Sequence, residues 1–140
     1  MKFTIHADGG ARGNPGPAGA GAVVRDELGN IVASVSEYLG RRTNNYAEYE
    51  AVILALEKVH ELAKGKLADT AVMVKMDSEL VVKQMKGDYK VKHPDMKAQY
   101  ARLTELAAPL GLIGFAHVPR EQNSDADALA NEAMDRGLRP

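Results

Sequence analysis

The stretch Lys2-Phe3-Thr4-Ile5-His6-Ala7-Asp8 opens the chain as an alternating strand pattern and ends on a carboxylate. A second apolar run, Ala71 to Met76, is likewise followed directly by an acid, Asp77. In open sheets built from crossover units, the binding crevice lies beyond the carboxyl ends of the strands. We therefore expect Asp8 and Asp77 at the same edge of one sheet.

The remaining elements are predicted from the same periodicities. Gly21–Arg25 and Ile31–Val35 flank a hairpin turn signal, whereas Gly9–Pro17 is too rich in glycine and proline for regular structure. A helix capped by Asn44 or Asn45 is predicted to run to about Ala63, and a second helix covers Ser78–Met85. A third helix starts at Pro94 and ends at Pro109. The last strand covers Leu112–Val118, and a final helix runs from Asn123 or Ser124 to about Arg136.

This order of elements predicts an α/β fold made of a single domain over residues 1–140. Three antiparallel strands come first, and two further strands follow through crossover connections. The result is a five-stranded mixed sheet, three strands antiparallel and then two parallel, flanked by helices on both faces.

Composition sets limits on location and cofactors. The chain contains no cysteine, which excludes disulfides and thiolate metal sites. No apolar run approaches the roughly 20 residues of a membrane helix, and the first residues lack the pattern of a signal peptide. We expect a cytoplasmic protein that does not bind membranes. The net charge of −1 does not by itself indicate a nucleic-acid partner.

Two further acids stand near the starts of helix-like segments. An apolar stripe from Val52 to Val59 recurs at helical spacing from Glu48, so Glu48 should face the sheet, which is costly unless the carboxylate is paired or binds a metal. If Asp8, Glu48, Asp77 and Asp127 share one volume, either their pKa values rise or cations bind. Mg²⁺ and Mn²⁺ prefer such oxygen ligands, which makes two-metal phosphodiester chemistry the leading hypothesis.

The motifs around these acids together resemble the signature of type 1 ribonuclease H. They match in order and spacing over nearly the whole chain, and the last of them favours Asp127 over Asp125 as the fourth acid. The matching segments are Asp8-Gly9-Gly10, Gly13-Asn14-Pro15-Gly16-Pro17, Thr43-Asn44-Asn45-Tyr46-Ala47-Glu48, Asp77-Ser78 and Ala126-Asp127-Ala128-Leu129-Ala130.

The resemblance implies a ribonuclease H-like fold and an endonuclease that hydrolyses the RNA strand of RNA/DNA hybrids, leaving 3′-hydroxyl and 5′-phosphate ends. It implies that Asp8, Glu48, Asp77 and Asp127 are both catalytic and metal-binding. Two divalent ions, Mg²⁺ or Mn²⁺, would be bridged by Asp8 and the scissile phosphate, one activating the attacking water and the other stabilising the leaving 3′ oxygen. We expect a monomer with no small-molecule cofactor.

The resemblance also implies contacts to the hybrid. Asn14 and Asn44 match amides that read 2′-hydroxyls, while Arg41 and Thr43 match a pocket that holds a phosphate of the DNA strand. The full set of expected substrate-binding residues is Gly9, Gly10, Asn14, Arg41, Thr43, Asn44, Asn45, Ser78 and His93.

The chain departs from the family pattern at three places. His93 stands where an asparagine is expected in the DNA-phosphate pocket, and Glu79 stands where a glutamine often follows the Asp-Ser pair. The basic protrusion of some members is missing, since only a short segment separates Met85 from Pro94. We therefore expect weaker hybrid binding than in members that carry the protrusion.

Two residues compete for the role of assisting water activation or product release. The spacing of His117 from Asp127 matches a flexible histidine of several members, but its surroundings predict a strand end. Arg120 is the alternative, because this variant resembles archaeal-like members that use arginine there, and we favour Arg120.

The sequence alone is also consistent with other functions. A catalytically silent nucleic-acid-binding module on the same fold is the main alternative, although a binder gains nothing from four repelling carboxylates. A transposase, resolvase or exonuclease is disfavoured by the short length and by the asparagines suited to 2′-hydroxyls. Similar sequences also occur as the amino-terminal part of a fusion, so a whole protein and an excised domain are both consistent with the sequence.

Overall fold

The structure, a computed structural model, describes residues 1–138 and contains a five-stranded sheet in the order β3-β2-β1-β4-β5. β1 pairs antiparallel with β2, and β2 with β3, whereas β4 runs parallel to both β1 and β5. This confirms the predicted mixed sheet. The strands are β1 (Lys2–Ala11), β2 (Gly16–Arg25), β3 (Ile31–Arg42), β4 (Ala71–Met76) and β5 (Leu112–His117).

Helices cover both faces of the sheet, as predicted. They are α1 (Asn44–Leu62), α2 (Glu79–Met85), α3 (Pro94–Ala107) and α4 (Ser124–Gly137), with short 3₁₀ segments at Leu67–Asp69 and Arg120–Asn123. A Cβ on Gly9 would meet the backbone of α1. Ala20 is the cross-strand partner of Gly9 and therefore faces the same side of the sheet. Its neighbours Gly19 and Gly21 face the other side, where an added Cβ would meet the backbone of α4. α1 and α4 thus cover opposite faces of the sheet.

The main apolar core lies between the sheet and α1. Ile53 and Leu56 of α1 are fully buried together with Ile5 of β1 and Val74 of β4. Within residues 1–138, no helix combines the length and the apolarity needed to cross a membrane.

The glycine- and proline-rich segment was predicted wrongly as irregular from Gly9 to Pro17. β1 continues to Ala11 and β2 already begins at Gly16, because the small residues at 9–11 pair with those at 18–20. Their lack of bulk allows both covering helices to approach the strands closely, and this packing outweighs the turn preference of glycine. Asp8 therefore lies inside β1 instead of closing it.

The cap of α1 and the length of β3 also differ from the prediction. Thr43, not Asn44 or Asn45, is the N-cap of α1, and its Oγ1 accepts a hydrogen bond from the Tyr46 amide at 3.2 Å. β3 continues to Arg42, well beyond the predicted end at Val35, because it pairs with β2 along nearly its whole length. The long β3 delivers the chain to the start of α1 beside the end of β1.

The start of α4 is fixed by an unusual cap. Asn123 is the N-cap residue, as the sequence allowed, but its side chain makes no capping hydrogen bond. Its Nδ2 instead donates to the carbonyl oxygen of Ala7 at 2.9 Å, and Asn123 is almost fully buried. This bond ties the first turn of α4 to the strand residue that precedes Asp8.

Candidate active site

Asp8 and Asp77 lie together where the pairing of two parallel strands stops. The ladder between β1 and β4 ends at the pair Ala7 and Met76, and each acid is the next residue on its strand. β1 then continues alone against β2. Asp8 is therefore within a strand and yet at the carboxyl edge of the β1–β4 pair, where the sequence predicted both acids.

Glu48 reaches this edge from the first turns of α1. Burial raises the pKa of Glu48 to about 7, a hydrogen bond from the Ser78 hydroxyl lowers it, and the neighbouring Asp77 carboxylate raises it. Ser78 also caps α2, since its Oγ accepts from the amide of Val81 at 3.3 Å. The Ser78 side chain thus links the start of α2 to Glu48 of α1.

Asp127 completes the group from the first turn of α4. Burial raises the pKa of Asp8 to about 8, and repulsion by Asp77, a hydrogen bond with the Asp127 side chain and the charges of Asp127 and Glu48 add to the effect. The four acids form one interacting cluster, as predicted.

The donor set of this cluster fits divalent cations. Oxygen-only ligands suit Mg²⁺ and Mn²⁺, and burial together with the neighbouring carboxylates raises the pKa values of Asp8 and Glu48. Within residues 1–138, no three of the acids converge as a ready-made metal site. Like charges separate unless a cation or a proton compensates them, and a bound divalent cation would supply that compensation.

A cleft of about 290 Å³ opens above the cluster, with Asp8, Asp77 and Asp127 in its walls. Two cations border it. Arg120 Nη2 lies 3.6 Å from Asp127 Oδ1, and Arg12 Nη1 lies 2.7 Å from Asp135 Oδ1.

The two candidates for the assisting residue occupy different places. Arg120 lines the cleft and its side chain is 77% exposed. His117 is the last residue of β5, as the sequence indicated, and its Nε2 lies 3.3 Å from the carbonyl oxygen of Asp77. Within the described part of the chain, the residues that line the cleft do not include His117. The geometry favours Arg120, whose role stays a prediction.

Asn14 and Asn44 connect β1 to α1 at the border of the cleft. Asn44 Oδ1 accepts from the amide of Ala11 at 2.7 Å, and Asn14 Oδ1 accepts from the amide of Asn44 at 3.0 Å. Asn44 lines the cleft together with Gly9 and Gly10. Asn45 follows in the same turn of α1 and is partly buried.

Arg41 and Thr43 lie outside this cleft, in a second depression of about 520 Å³. His93 is not among the described residues that line that depression. It caps α3, where its Nδ1 accepts from the amide of Asp95 at 3.2 Å. The phosphate-binding role implied for these three residues stays a prediction.

Sequence reasoning missed the two polar residues Arg12 and Asn131 of the cleft. Asn131 lies four residues after Asp127, on the same face of α4, and its Nδ2 donates to the Asp127 carbonyl oxygen at 3.0 Å. That helical spacing could have revealed it. Arg12 directly follows the last residue of β1, a position that is visible only once β1 is known to continue through the glycines.

Comparisons with known proteins agree with this architecture. Residues 6–133 match the family model described as reverse transcriptase-like. The chain is 48% identical over 136 residues to a bifunctional protein of Mycobacterium tuberculosis, a match that covers 96% of this chain and 36% of the relative. It is 43% identical over 133 residues to ribonuclease HI of Halobacterium salinarum, covering 94% of this chain and 64% of that protein. It is 30% identical to ribonuclease H of a Sulfurovum species, covering 96% and 92%.

Solved structures show the same similarity. The crystal structure of LC11-RNase H1 in complex with an RNA/DNA hybrid matches with a TM-score of 0.92 and 49% identity, covering 98% of this chain and 99% of that one. The N-terminal RNase H domain of the M. tuberculosis protein matches with a TM-score of 0.90 and 46% identity, covering 96% and 100%.

The sheet order and the acids at its carboxyl edge define a protein of the ribonuclease H-like class. The relatives narrow this further: the chain belongs to the ribonuclease H family, and within it to type 1. It spans only about a third (36%) of the length of the mycobacterial relative.

Proposed function

We propose that the protein is a metal-dependent endonuclease that hydrolyses the RNA strand of RNA/DNA hybrids. The observation that carries this proposal is the acid cluster, in which Asp77, Asp127 and Glu48 all interact with the buried Asp8. Repelling carboxylates destabilise a fold, so their retention at a cleft indicates a chemical use. The same argument counts against a silent binding module. The family membership and the hybrid bound to LC11-RNase H1 support the substrate class.

Asp8, Glu48, Asp77 and Asp127 would hold two divalent cations, Mg²⁺ or Mn²⁺. When bound there, such ions supply an activated water at neutral pH and neutralise charge on the leaving 3′ oxygen. We expect hydrolysis to break the bond to the 3′ oxygen and to leave 3′-hydroxyl and 5′-phosphate ends.

The protein's own groups would prepare the reaction around these acids. Ser78 donates a hydrogen bond to Glu48 and would hold this carboxylate in place toward the other acids. The exposed guanidinium of Arg120, beside Asp127, can donate to a phosphate oxygen.

Selection of RNA would depend on Asn14 and Asn44. Asn44 lines the cleft, Asn14 is bonded to the backbone amide of Asn44, and the side-chain oxygen of each accepts a backbone hydrogen bond. A 2′-hydroxyl is both a donor and an acceptor, and an ordered amide offers a matching pair of groups. The strand that lies over the acids is therefore required to be RNA.

Substrate choice and product chemistry test the proposal together. The protein is incubated with Mg²⁺ and four substrates of one sequence: hybrid, double-stranded RNA, double-stranded DNA and single-stranded RNA. We expect cleavage of the RNA strand in the hybrid, with product ends that a DNA polymerase extends on the DNA template because they carry a 3′-hydroxyl. Cleavage of the DNA strand, or RNA ends that the polymerase cannot extend, would show that the proposal is wrong.

A further inference from the structure

Asn123, the N-cap residue of α4, does not use its side chain to cap the helix. The side chain makes no capping hydrogen bond, although asparagine is among the best N-cap residues. It is turned toward β1 instead, where Nδ2 donates to the Ala7 carbonyl oxygen at 2.9 Å. Asn123 is only 1% exposed, so this bond is shielded from solvent.

This arrangement costs stability in two ways. The first turn of α4 lacks a side-chain partner for its amides, which an N-cap side chain normally supplies. The Oδ1 atom of Asn123 is also buried without a hydrogen-bond partner among residues 1–138, and a buried acceptor of this kind loses the bonds that water would give it. Natural sequences break such rules mainly at functional sites. The bond to Ala7 is therefore expected to serve the site beside it.

The bond joins the two segments that carry Asp8 and Asp127. The Ala7 carbonyl and the Asp8 amide belong to one planar peptide unit, so the bond holds the backbone at the point where Asp8 begins. Asp127 lies four residues after Asn123, one turn farther along α4 and on the same side of the helix. One buried side chain thus connects the peptide unit of Asp8 with the helical turn of Asp127.

Other contacts hold α4 against β2 and β3. A Cβ on Gly21 would meet the backbone of α4, so the helix rests closely on β2. Arg25 Nη2 lies 2.6 Å from Asp125 Oδ2, but the Asp125 side chain is 60% exposed, and exposed ion pairs contribute little. Ser36 Oγ of β3 donates to a backbone carbonyl oxygen of α4 at 2.7 Å. The bond from Asn123, in contrast, acts on β1.

The relative position of Asp8 and Asp127 is sensitive to small movements of α4. Burial and the charge of Asp77 raise the pKa of Asp8, and Asp127 adds to this through a hydrogen bond and through its charge, so the two carboxyl groups interact directly. Mg²⁺ requires near-ideal octahedral geometry with oxygen ligands at about 2.0–2.1 Å. A misplacement of about 1 Å can cost about 100-fold in rate.

We infer that Asn123 is a positioning residue, whose bond to the Ala7 carbonyl oxygen sets the separation at which Asp8 and Asp127 can share a divalent cation. The inference rests on the proposed function, because this separation matters only if the two carboxylates bind a common ion. Within residues 1–138, the residues that line the cleft do not include Asn123. It therefore acts through the backbone of its neighbours.

The variant Asn123→Ser separates positioning from stability. A serine can cap α4 and removes the unpartnered oxygen, but its hydroxyl is too short to reach the Ala7 carbonyl oxygen. Asn123→Thr is a second variant with the same properties. Ser36→Ala is the matched control, because it removes another side-chain bond to the backbone of α4, the one from Ser36 Oγ to the Leu129 carbonyl oxygen.

Three measurements compare these proteins. Isothermal titration calorimetry measures the binding of Mn²⁺ alone, without nucleic acid. Steady-state cleavage of an RNA/DNA hybrid with Mg²⁺ gives kcat and KM. Circular dichroism melting in a chelator measures stability and identifies a temperature at which every variant is folded, and the other two measurements are made at that temperature.

We expect Asn123→Ser to melt within about 4 °C of the parent and to bind Mn²⁺ about 3- to 10-fold more weakly. Its kcat should fall by about 10-fold or more while KM changes less than about 2-fold, because the groups that contact the hybrid stay in place. Asn123→Thr should behave in the same way. Ser36→Ala should melt about 3 °C lower or more and keep the Mn²⁺ affinity, kcat and KM of the parent.

Asn123 variants that bind Mn²⁺ and turn over like the parent would overturn the inference, as would a raised KM with an unchanged kcat. An equal loss of Mn²⁺ affinity in Ser36→Ala would also overturn it, because any loosening of α4 would then be enough. Cutting by the parent is scored separately. A parent that binds Mn²⁺ but leaves the hybrid uncut refutes the proposed function, whereas a parent that cuts beside Asn123 variants that match it refutes only the positioning role.

Discussion

At the scale of single residues, Asp8 is the centre of the site's electrostatics. Its pKa of about 8 results first from burial and then from the acids around it. The folded protein therefore binds protons at Asp8 and Glu48 more tightly than the unfolded chain does. The free energy of unfolding therefore falls as pH rises from about 4 to about 8. In this range the acids of the unfolded chain are already ionised, whereas ionising the buried acids of the folded protein costs free energy.

Replacing Asp8 by asparagine should remove much of this dependence. Without divalent cations, we expect Asp8→Asn to raise the melting temperature by about 3 °C or more near pH 8 and to change it little near pH 4. Circular dichroism, recorded during thermal unfolding in the presence of a chelator, measures the melting temperature at both pH values. Mg²⁺ should stabilise the parent more than the variant, and an equal melting temperature for the two proteins at every pH would contradict the assignment.

Arg120 and His117 give a second test at this scale. Arg120→Ala should lower kcat by about 10-fold or more while the affinity for hybrid changes less than about 2-fold, because its loss removes a group that acts on the reacting phosphate. His117→Ala should leave kcat nearly unchanged. A larger loss of turnover in His117→Ala than in Arg120→Ala would assign the role to the histidine.

The acids themselves could be predicted from the sequence because each lies at a recognisable point. Asp77 follows an apolar run, and Glu48 lies on the apolar stripe of its helix. Arg12 and Arg102 could not be predicted. Arg12 follows a strand that continues through glycines, and Arg102 reaches the depression that contains Arg41 only after α3 packs beside α1.

At the scale of elements, the contact of β1 with α1 fixes the position of Glu48. A Cβ on Gly9 would lie 2.2 Å from the backbone of Ala47, directly before Glu48. The helix would have to move away from the strand and take Glu48 with it.

Gly9→Ala should therefore cost about 1–3 kcal/mol of stability and at least about 10-fold in turnover. Gly10→Ala is the matched control for stability, since its Cβ would find its nearest atom, the Met134 methyl, at 3.7 Å. Chemical denaturation and steady-state cleavage measure the two effects. Equal stability of the two variants would show that this contact does not hold α1 in place.

A buried hydrogen bond connects α1 to α2. Tyr49 donates to Gln84 Oε1 at 2.6 Å, and both side chains are buried. Tyr49→Phe should cost about 1–3 kcal/mol because it leaves the Gln84 amide oxygen without a partner. Adding Gln84→Met should recover part of this loss, as both polar groups are then gone. Denaturant melts of the single and double variants measure this, and additive losses would contradict it.

At the scale of the whole molecule, the pairing of the strands could be predicted from the sequence, whereas the distribution of charge on the surface could not. Local periodicity specifies strands and helices, and the handedness of crossovers limits how they assemble. The opposite charges of the cleft and of the depression that contains Arg41 and Arg102 arise only when β1, β3 and three helices are assembled.

Cleavage of a labelled RNA/DNA hybrid by the parent protein and by Asp77→Asn, with Mg²⁺, with Mn²⁺ and with a chelator, tests the central claim most directly. We predict that the parent cuts the RNA strand only when a divalent cation is present. Asp77→Asn should be slower by about 100-fold or more and still bind the hybrid. A parent that leaves the hybrid uncut with either ion, or a variant that cuts as fast as the parent, would contradict the account.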